Sequence, residues 1–189
     1  MSRLTSRAPE AVVIDGVSYP LNTNFRNCLL TVALLNDSEI FDYEKADILL
    51  ENMFFEPYPE NVNEAMAQAV NYLMQNRDTK KEEQNHPILL DFEQDGQMIY
   101  DAFLSKGVNL DIVDIPFWEF LAHLRELPKG CLLNRVIYLR SQQSRNKLTK
   151  EEREEIRRLG HDVVDVKVKP QRQDYSGLES EIDDYFNSL

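Results

Sequence analysis

Apolar residues recur every three or four positions through most of this chain, the spacing that gives a helix one buried face. Phe25, Leu29, Val32 and Leu35 or Ala33 share a side of a stretch that Asn22-Thr23-Asn24 can cap, which predicts a helix to about Asn36. A second helix is expected from Tyr43 to about Met53, capped by Asp42, with Ala46, Leu49, Leu50 and Met53 inward. A third is expected from about Asn61 to Asn76, with Ala65, Ala69, Tyr72 and Leu73 inward. Between these two, Phe54-Phe55-Glu56-Pro57-Tyr58-Pro59 is a loop, because two closely spaced prolines exclude a helix.

The pattern departs from helical spacing at the start. Val12-Val13-Ile14-Asp15-Gly16-Val17-Ser18-Tyr19 places Asp-Gly between two β-prone runs, the strongest short signal for a hairpin. Such a hairpin is marginal alone and must lie on the helices that follow. Residues 1–10 read as a flexible arm, and 77–86, without one apolar side chain, as an exposed loop. Further on, Asp91 caps an expected helix to about Ser105 with Phe92, Ile99 and Phe103 in register, and Gly107 lies just past its end. Pro116 suits a helix start; Phe117, Phe120, Leu121, Leu124 and Leu127 then form a stripe that Pro128 stops. Leu132, Leu133, Val136, Ile137 and Leu139 predict a helix to about Ser141. Thr149 and Glu152 have capping-box spacing for a peripheral, exposed helix closed by Gly160. Val163–Val168 alternates as an edge strand or an extended linker does, and an acidic tail follows.

The fold class expected is therefore mainly α, a helical domain over 11–145 with a small N-terminal β-hairpin. Residues 146–189 form a peripheral helix and tail. Its core is expected to include Phe25, Leu29, Phe92, Ile99, Phe103, Phe120, Leu121 and Leu124.

Composition narrows the function. The 189 residues carry a formal net charge of −12, which repels phosphate backbones and disfavours nucleic acid as a direct partner. The charge is uneven. Residues 1–76 hold 4 basic and 11 acidic side chains, 145–170 hold 8 and 6, and 171–189 hold 1 and 5. The basic helix and the acidic tail are suited to pair within one molecule or between copies; the plainer reading is a solvated face and a loose terminus. Cys28 and Cys131 sit in apolar helical patterns, where free cysteine behaves as a small hydrophobe. The first ten residues contain no apolar stretch, so no signal peptide is expected, and no apolar run is long enough to span a membrane.

Candidate chemistry is sparse. His86, His123 and His161 lie in different segments without a familiar ligand spacing, and no phosphate-binding loop or nucleophile elbow occurs. Asp91 and Asp95 share a helical face and have the spacing of an acid–base pair, yet carboxylates in a first turn also satisfy orphan N–H groups, the better reading. No catalytic residue, cofactor or metal is expected. Phe54, Phe55 and Tyr58 in the proline-bounded loop, and Trp118 beside the apolar stripe, are the candidate partner-binding residues, since aromatic side chains anchor interfaces, although a lone tryptophan in a helical protein is more often core.

Two stretches carry a resemblance. Val12–Arg26 reads V-V-I-D-G-V-S-Y-P-L-N-T-N-F-R, and Asp91–Leu104 reads D-F-E-Q-D-G-Q-M-I-Y-D-A-F-L. Gly107-Val108-Asn109-Leu110, Phe117-Trp118-Glu119-Phe120, Leu127-Pro128 and Tyr138-Leu139-Arg140 follow in order. Together they resemble the bacteriophage gene-product-fifteen family of phages and prophages with long non-contractile tails. The resemblance covers roughly residues 10–145, departs where the family often has a second tryptophan at Phe117, and does not extend beyond.

The resemblance implies a role rather than a chemistry. Genes of the family typically lie between those for the tail tube and the tape-measure protein, where tail-assembly chaperones are encoded. By that implication the protein is a chaperone in the cytoplasm of the bacterial host cell. It would bind the tape-measure protein, with the tail tube protein as a further partner, and be absent from the virion. The alternative is a minor tail or connector component of the particle.

Overall fold

The computed structural model describes residues 7–37, 39–75 and 87–167. The expected loop 77–86, most of the N-terminal arm and the acidic tail lie outside these residues, as does His86.

Asp15 (φ 49°) and Gly16 (φ 80°) make the tight turn that Asp-Gly predicts, both with positive φ. It joins β1 (Ala11–Ile14) to β2 (Val17–Pro20) in an antiparallel pair with Ile14 opposite Val17. Ile14 is buried, and β1 lies against α3, which supplies the support a lone hairpin lacks. Mainly helical structure follows: α1 (Phe25–Leu35), α2 (Asp42–Met53), α3 (Val62–Leu73), α4 (Gly96–Ser105), α5 (Phe117–Arg125), α6 (Leu132–Ser144), α7 (Lys150–Leu159) and α8 (His161–Val164).

Among the described residues the chain forms two compact units. The first takes 7–75 and 116–118, the second 87–115 and 119–167. In the first, α1 packs on α2 and α2 on α3. The Asn24 side chain caps α1 by accepting from the N–H groups of Arg26 and Asn27. The segment after β2 is tied to the end of α2: Asn22 N–H donates to the Met53 carbonyl at 2.9 Å and Leu21 bridges to Phe54. The returning segment 116–118 is bound in turn, with Phe117 N–H donating to the Thr23 carbonyl at 2.7 Å.

Several expectations need correction. The inner face of α1 is Phe25, Cys28 and Thr31, and Leu29 is only half-buried. Thr31 tolerates burial because its hydroxyl donates to the Asn27 carbonyl at 2.8 Å, satisfying itself within the helix. Asp42 is the first residue of α2 rather than its cap; the cap position is Phe41, whose N–H donates to the Glu44 carboxylate.

The second unit is built on Phe103 stacked on Phe120 (5.1 Å between ring centroids) and on Leu139, Ile156 and Val164. Ile99, Phe103 and Phe120 are buried as expected, whereas Phe92, Leu121 and Leu124 are half-buried. Helix α4 starts at Gly96, later than the sequence implies, because residues 92–95 form a separate turn. Its end follows expectation: Gly107 has φ 80°, and Val108 N–H donates back to the Phe103 carbonyl. The capping box of α7 is present, with Thr149 Oγ1 accepting from Glu152 N–H and the Glu152 carboxylate accepting from Thr149 N–H. The helix is mostly exposed but turns Ile156 into the core. The alternating run after it is no strand up to residue 167. Gly160 (φ 99°) breaks α7, the chain makes the short helix α8, and Val164 becomes core.

Candidate interaction surface

The acidic stretch at 91–95 is the first place to look for chemistry. Asp91 Oδ1 accepts from the N–H groups of Glu93 and Gln94 at 2.9 and 2.8 Å, so this carboxylate caps the turn it precedes. Asp95 is fully buried and accepts two bonds from Arg140, at 2.6 Å from Nη1 and 2.9 Å from Nη2. Arg140 is itself 5% exposed, so the pair is sealed from solvent. Its remaining N–H groups donate to the carbonyls of Val164, Leu89 and Val163 at 2.6, 3.0 and 3.0 Å. With all five donors used, the guanidinium holds three separate stretches of the second unit together. Both aspartates are thereby committed to backbone and counter-charge, and neither is placed to move a proton on a substrate.

The two described histidines each face a single carboxylate. His123 sits edge-on to Phe103 with Glu119 at 3.7 Å, and His161 has Asp165 at 3.3 Å. Among the described residues no group of three or more His, Cys, Asp or Glu is arranged to hold a metal ion. Cys28 and Cys131 are free thiols, and burial pushes that of Cys28 up to about 12, which keeps it protonated and unreactive. No described helix is long and apolar enough to cross a membrane.

The four aromatic candidates separate by burial. Phe54 is 2% exposed and Trp118 8%, so both belong to the core of the first unit; for Phe54 this corrects its reading as a contact residue, and for Trp118 it is the commoner of the two readings. Trp118 Nε1–H donates to the Tyr72 carbonyl at 2.8 Å, and its ring stacks on Tyr72 with centroids 5.5 Å apart. A buried indole with its N–H satisfied anchors a fold, here fixing the returning segment to α3. Phe55 (52% exposed) and Tyr58 (41%) do face solvent in the loop between α2 and α3. Sequence reasoning passed over what comes next. Val62, Val70 and Met74 are exposed along α3, with half-buried Met66 in line between them. The i, i+4 recurrence of Val62, Met66, Val70 and Met74 was the available signal, an apolar ridge flanking the buried face.

A family model described as "Bacteriophage Gp15 protein" matches residues 4–163. The match runs past residue 145, where the resemblance of the quoted stretches ends, and takes in α7 and most of α8. No curated protein and no solved structure matches the chain.

Proposed function

The chain belongs to the bacteriophage Gp15 family, and from that premise we propose that it is a tail-assembly chaperone, a binding protein rather than a catalyst. It acts in the cytoplasm of the bacterial host cell, holding the tape-measure protein until tail tube subunits replace it. The observation that carries this reading is the coexistence of exposed apolar side chains, Phe55 and Tyr58 foremost, with a strongly acidic first unit. A long apolar helical protein is poorly soluble alone. A partner that covers its apolar stripe and presents negative charge keeps it dispersed. Release on tube assembly requires modest, reversible contacts, and modest contacts repeated along a rod still give firm overall binding.

Co-expression with the tape-measure protein of the same phage tests the proposal. The expected result is a soluble tape-measure protein that co-purifies with this chain, and reduced recovery when Phe55 and Tyr58 are replaced by serine. Mass spectrometry of purified particles should find the chain absent. Its presence there in many copies would overturn the chaperone role in favour of a minor tail or connector component.

A further inference from the structure

Helix α3 buries one apolar face, and an exposed apolar ridge winds away from the edge of that face. Ala65, Ala69, Tyr72 and Leu73 are buried, and Trp118 clamps the helix from that side through the Tyr72 carbonyl. Beside that face run Val62 (40% exposed), Val70 (43%) and Met74 (41%), with half-buried Met66 in line between Val62 and Val70. At about 1.5 Å per residue this line is roughly 18 Å long, three turns of helix. Residues four apart form the ridge that interlocks with a partner helix, and anchors at that spacing are how helices dock in pairs. Two of the four are methionines, whose flexible thioethers adapt to different apolar side chains.

Charge decides what can lie on this face. Residues 7–75 carry three basic and eleven acidic side chains, and α3 itself has one charged residue, Glu64, and no base. A second copy of this chain would bring the same acidic unit against itself. The chain's own segment 171–189, with one basic and five acidic residues, is also of the wrong sign. Apolar contact combined with charge attraction needs an apolar stripe flanked by cations. We propose that the exposed ridge of α3 along Val62, Met66, Val70 and Met74 is a docking surface for an amphipathic helix whose apolar stripe is flanked by lysine or arginine. The inference deepens the assembly reading above by naming the surface and the chemistry of the segment it takes.

The test uses the full chain and two synthetic helical peptides of about 20 residues. Both have leucine at the stripe positions; one is flanked by lysine, the other by glutamate. Calorimetry is expected to give binding of the lysine peptide, and binding of the glutamate peptide weaker by about tenfold or more. With ¹³C-methyl methionine, the signals of Met66 and Met74 should move on titration while that of buried Met53 stays. The exposed double substitution Val62→Ser/Val70→Ser should weaken the lysine peptide by about tenfold without changing the circular dichroism spectrum or Tm. Unmoved Met66 and Met74 signals, or equal binding by the double variant, would overturn the surface. So would a preference for the glutamate peptide, or self-association that the variant abolishes. Co-expression of the variant with the tape-measure protein separates the two proposals. If that protein co-purifies equally with wild type and variant, the surface falls and the assembly reading stands. If the lysine peptide engages α3 but the tape-measure protein does not co-purify, the surface stands and that partner falls; if neither binds, both fall.

Discussion

Removing the Arg140 guanidinium leaves the buried Asp95 carboxylate with the Asp91 N–H as its donor and no counter-charge, and takes the Arg140 donors from the carbonyls of Val164, Leu89 and Val163. Breaking a buried pair from one side is costly because the remaining charge is uncompensated, on the order of 3–5 kcal/mol. Arg140→Met is therefore expected to lower unfolding free energy by about that amount, read as a shift in urea midpoint. Arg140→Lys should rescue little, since three donors on a point charge cannot replace a five-donor fork. The double variant Asp95→Leu/Arg140→Met should recover part of the loss, because no charge is then stranded. An Asp95→Leu/Arg140→Met protein less stable than Arg140→Met alone would contradict this account. The capping role of Asp91 was legible in the sequence because its partners lie two and three residues away. The Asp95–Arg140 pair was not, since 45 residues separate its members. One clue was present: Arg140 continues the spacing of Leu133 and Val136, which marks it as facing inward among apolar residues. Of the aromatic candidates, Phe55 lies in a proline-bounded loop and Trp118 beside an apolar stripe, which leaves Trp118 open to either an interface or a core role in sequence. Only the stack on Tyr72 and the bond to its carbonyl make Trp118 core.

At the scale of elements, local signals read well wherever the chain satisfies its own backbone. The Asp-Gly turn, the Asn24 cap, the Gly107 stop and the Thr149 capping box each depend on neighbours within four residues. The failures lie where a distant group takes over. Val163 and Val164 alternate like strand residues, but their carbonyls accept from Arg140 instead of a neighbouring strand. Helix α7 is held to α6 by polar contacts that invite a pH test. Arg135 Nε donates to Glu155 Oε1 at 2.9 Å, which, as a side-chain bond to a cation, holds the Glu155 carboxyl below the usual glutamate range. The Thr149 N–H, and then the Tyr138 hydroxyl, do the same for Glu152. Both folded values are depressed, so their stabilising contribution is present above the unfolded value and is lost as pH falls through the folded ones. NMR titration should give midpoints for Glu152 and Glu155 below the ordinary glutamate value, and α7 should loosen only on the acid side of that value. Midpoints at the ordinary value would show that these contacts do not hold in solution.

For the molecule as a whole, sequence periodicity conveyed a mainly helical protein but not its division into two units, because contacts that close each unit join distant segments. The family match ends at residue 163, and the structure gives a reason for the region beyond 145 to matter to the fold. Ile156 and Val164 complete the cluster around Leu139, and Val163 and Val164 supply two of the acceptors of Arg140. Gln94 adds bonds from its amide to the carbonyls of Asp162 and Asp165 at 3.1 and 2.9 Å. Burial of each large apolar side chain contributes about 1.5–3 kcal/mol, and a domain's net stability is only about 5–15 kcal/mol. Loss of two core side chains, exposure of Leu139 and stranded donors on Arg140 together reach that range. A chain ending at residue 145 is thus expected to lose the cooperative unfolding of its second unit, whereas one ending at residue 167 keeps all of these contacts and should retain it. Hydrogen exchange reads the outcome locally. Amides of α4 and α6 should lose protection in the shorter chain, while those of α1 and α2 in the first unit stay protected. If α4 and α6 remain as protected as in the full chain, α7 and α8 are ornaments on a unit that folds without them, and the buried Arg140 network must be satisfied by other groups.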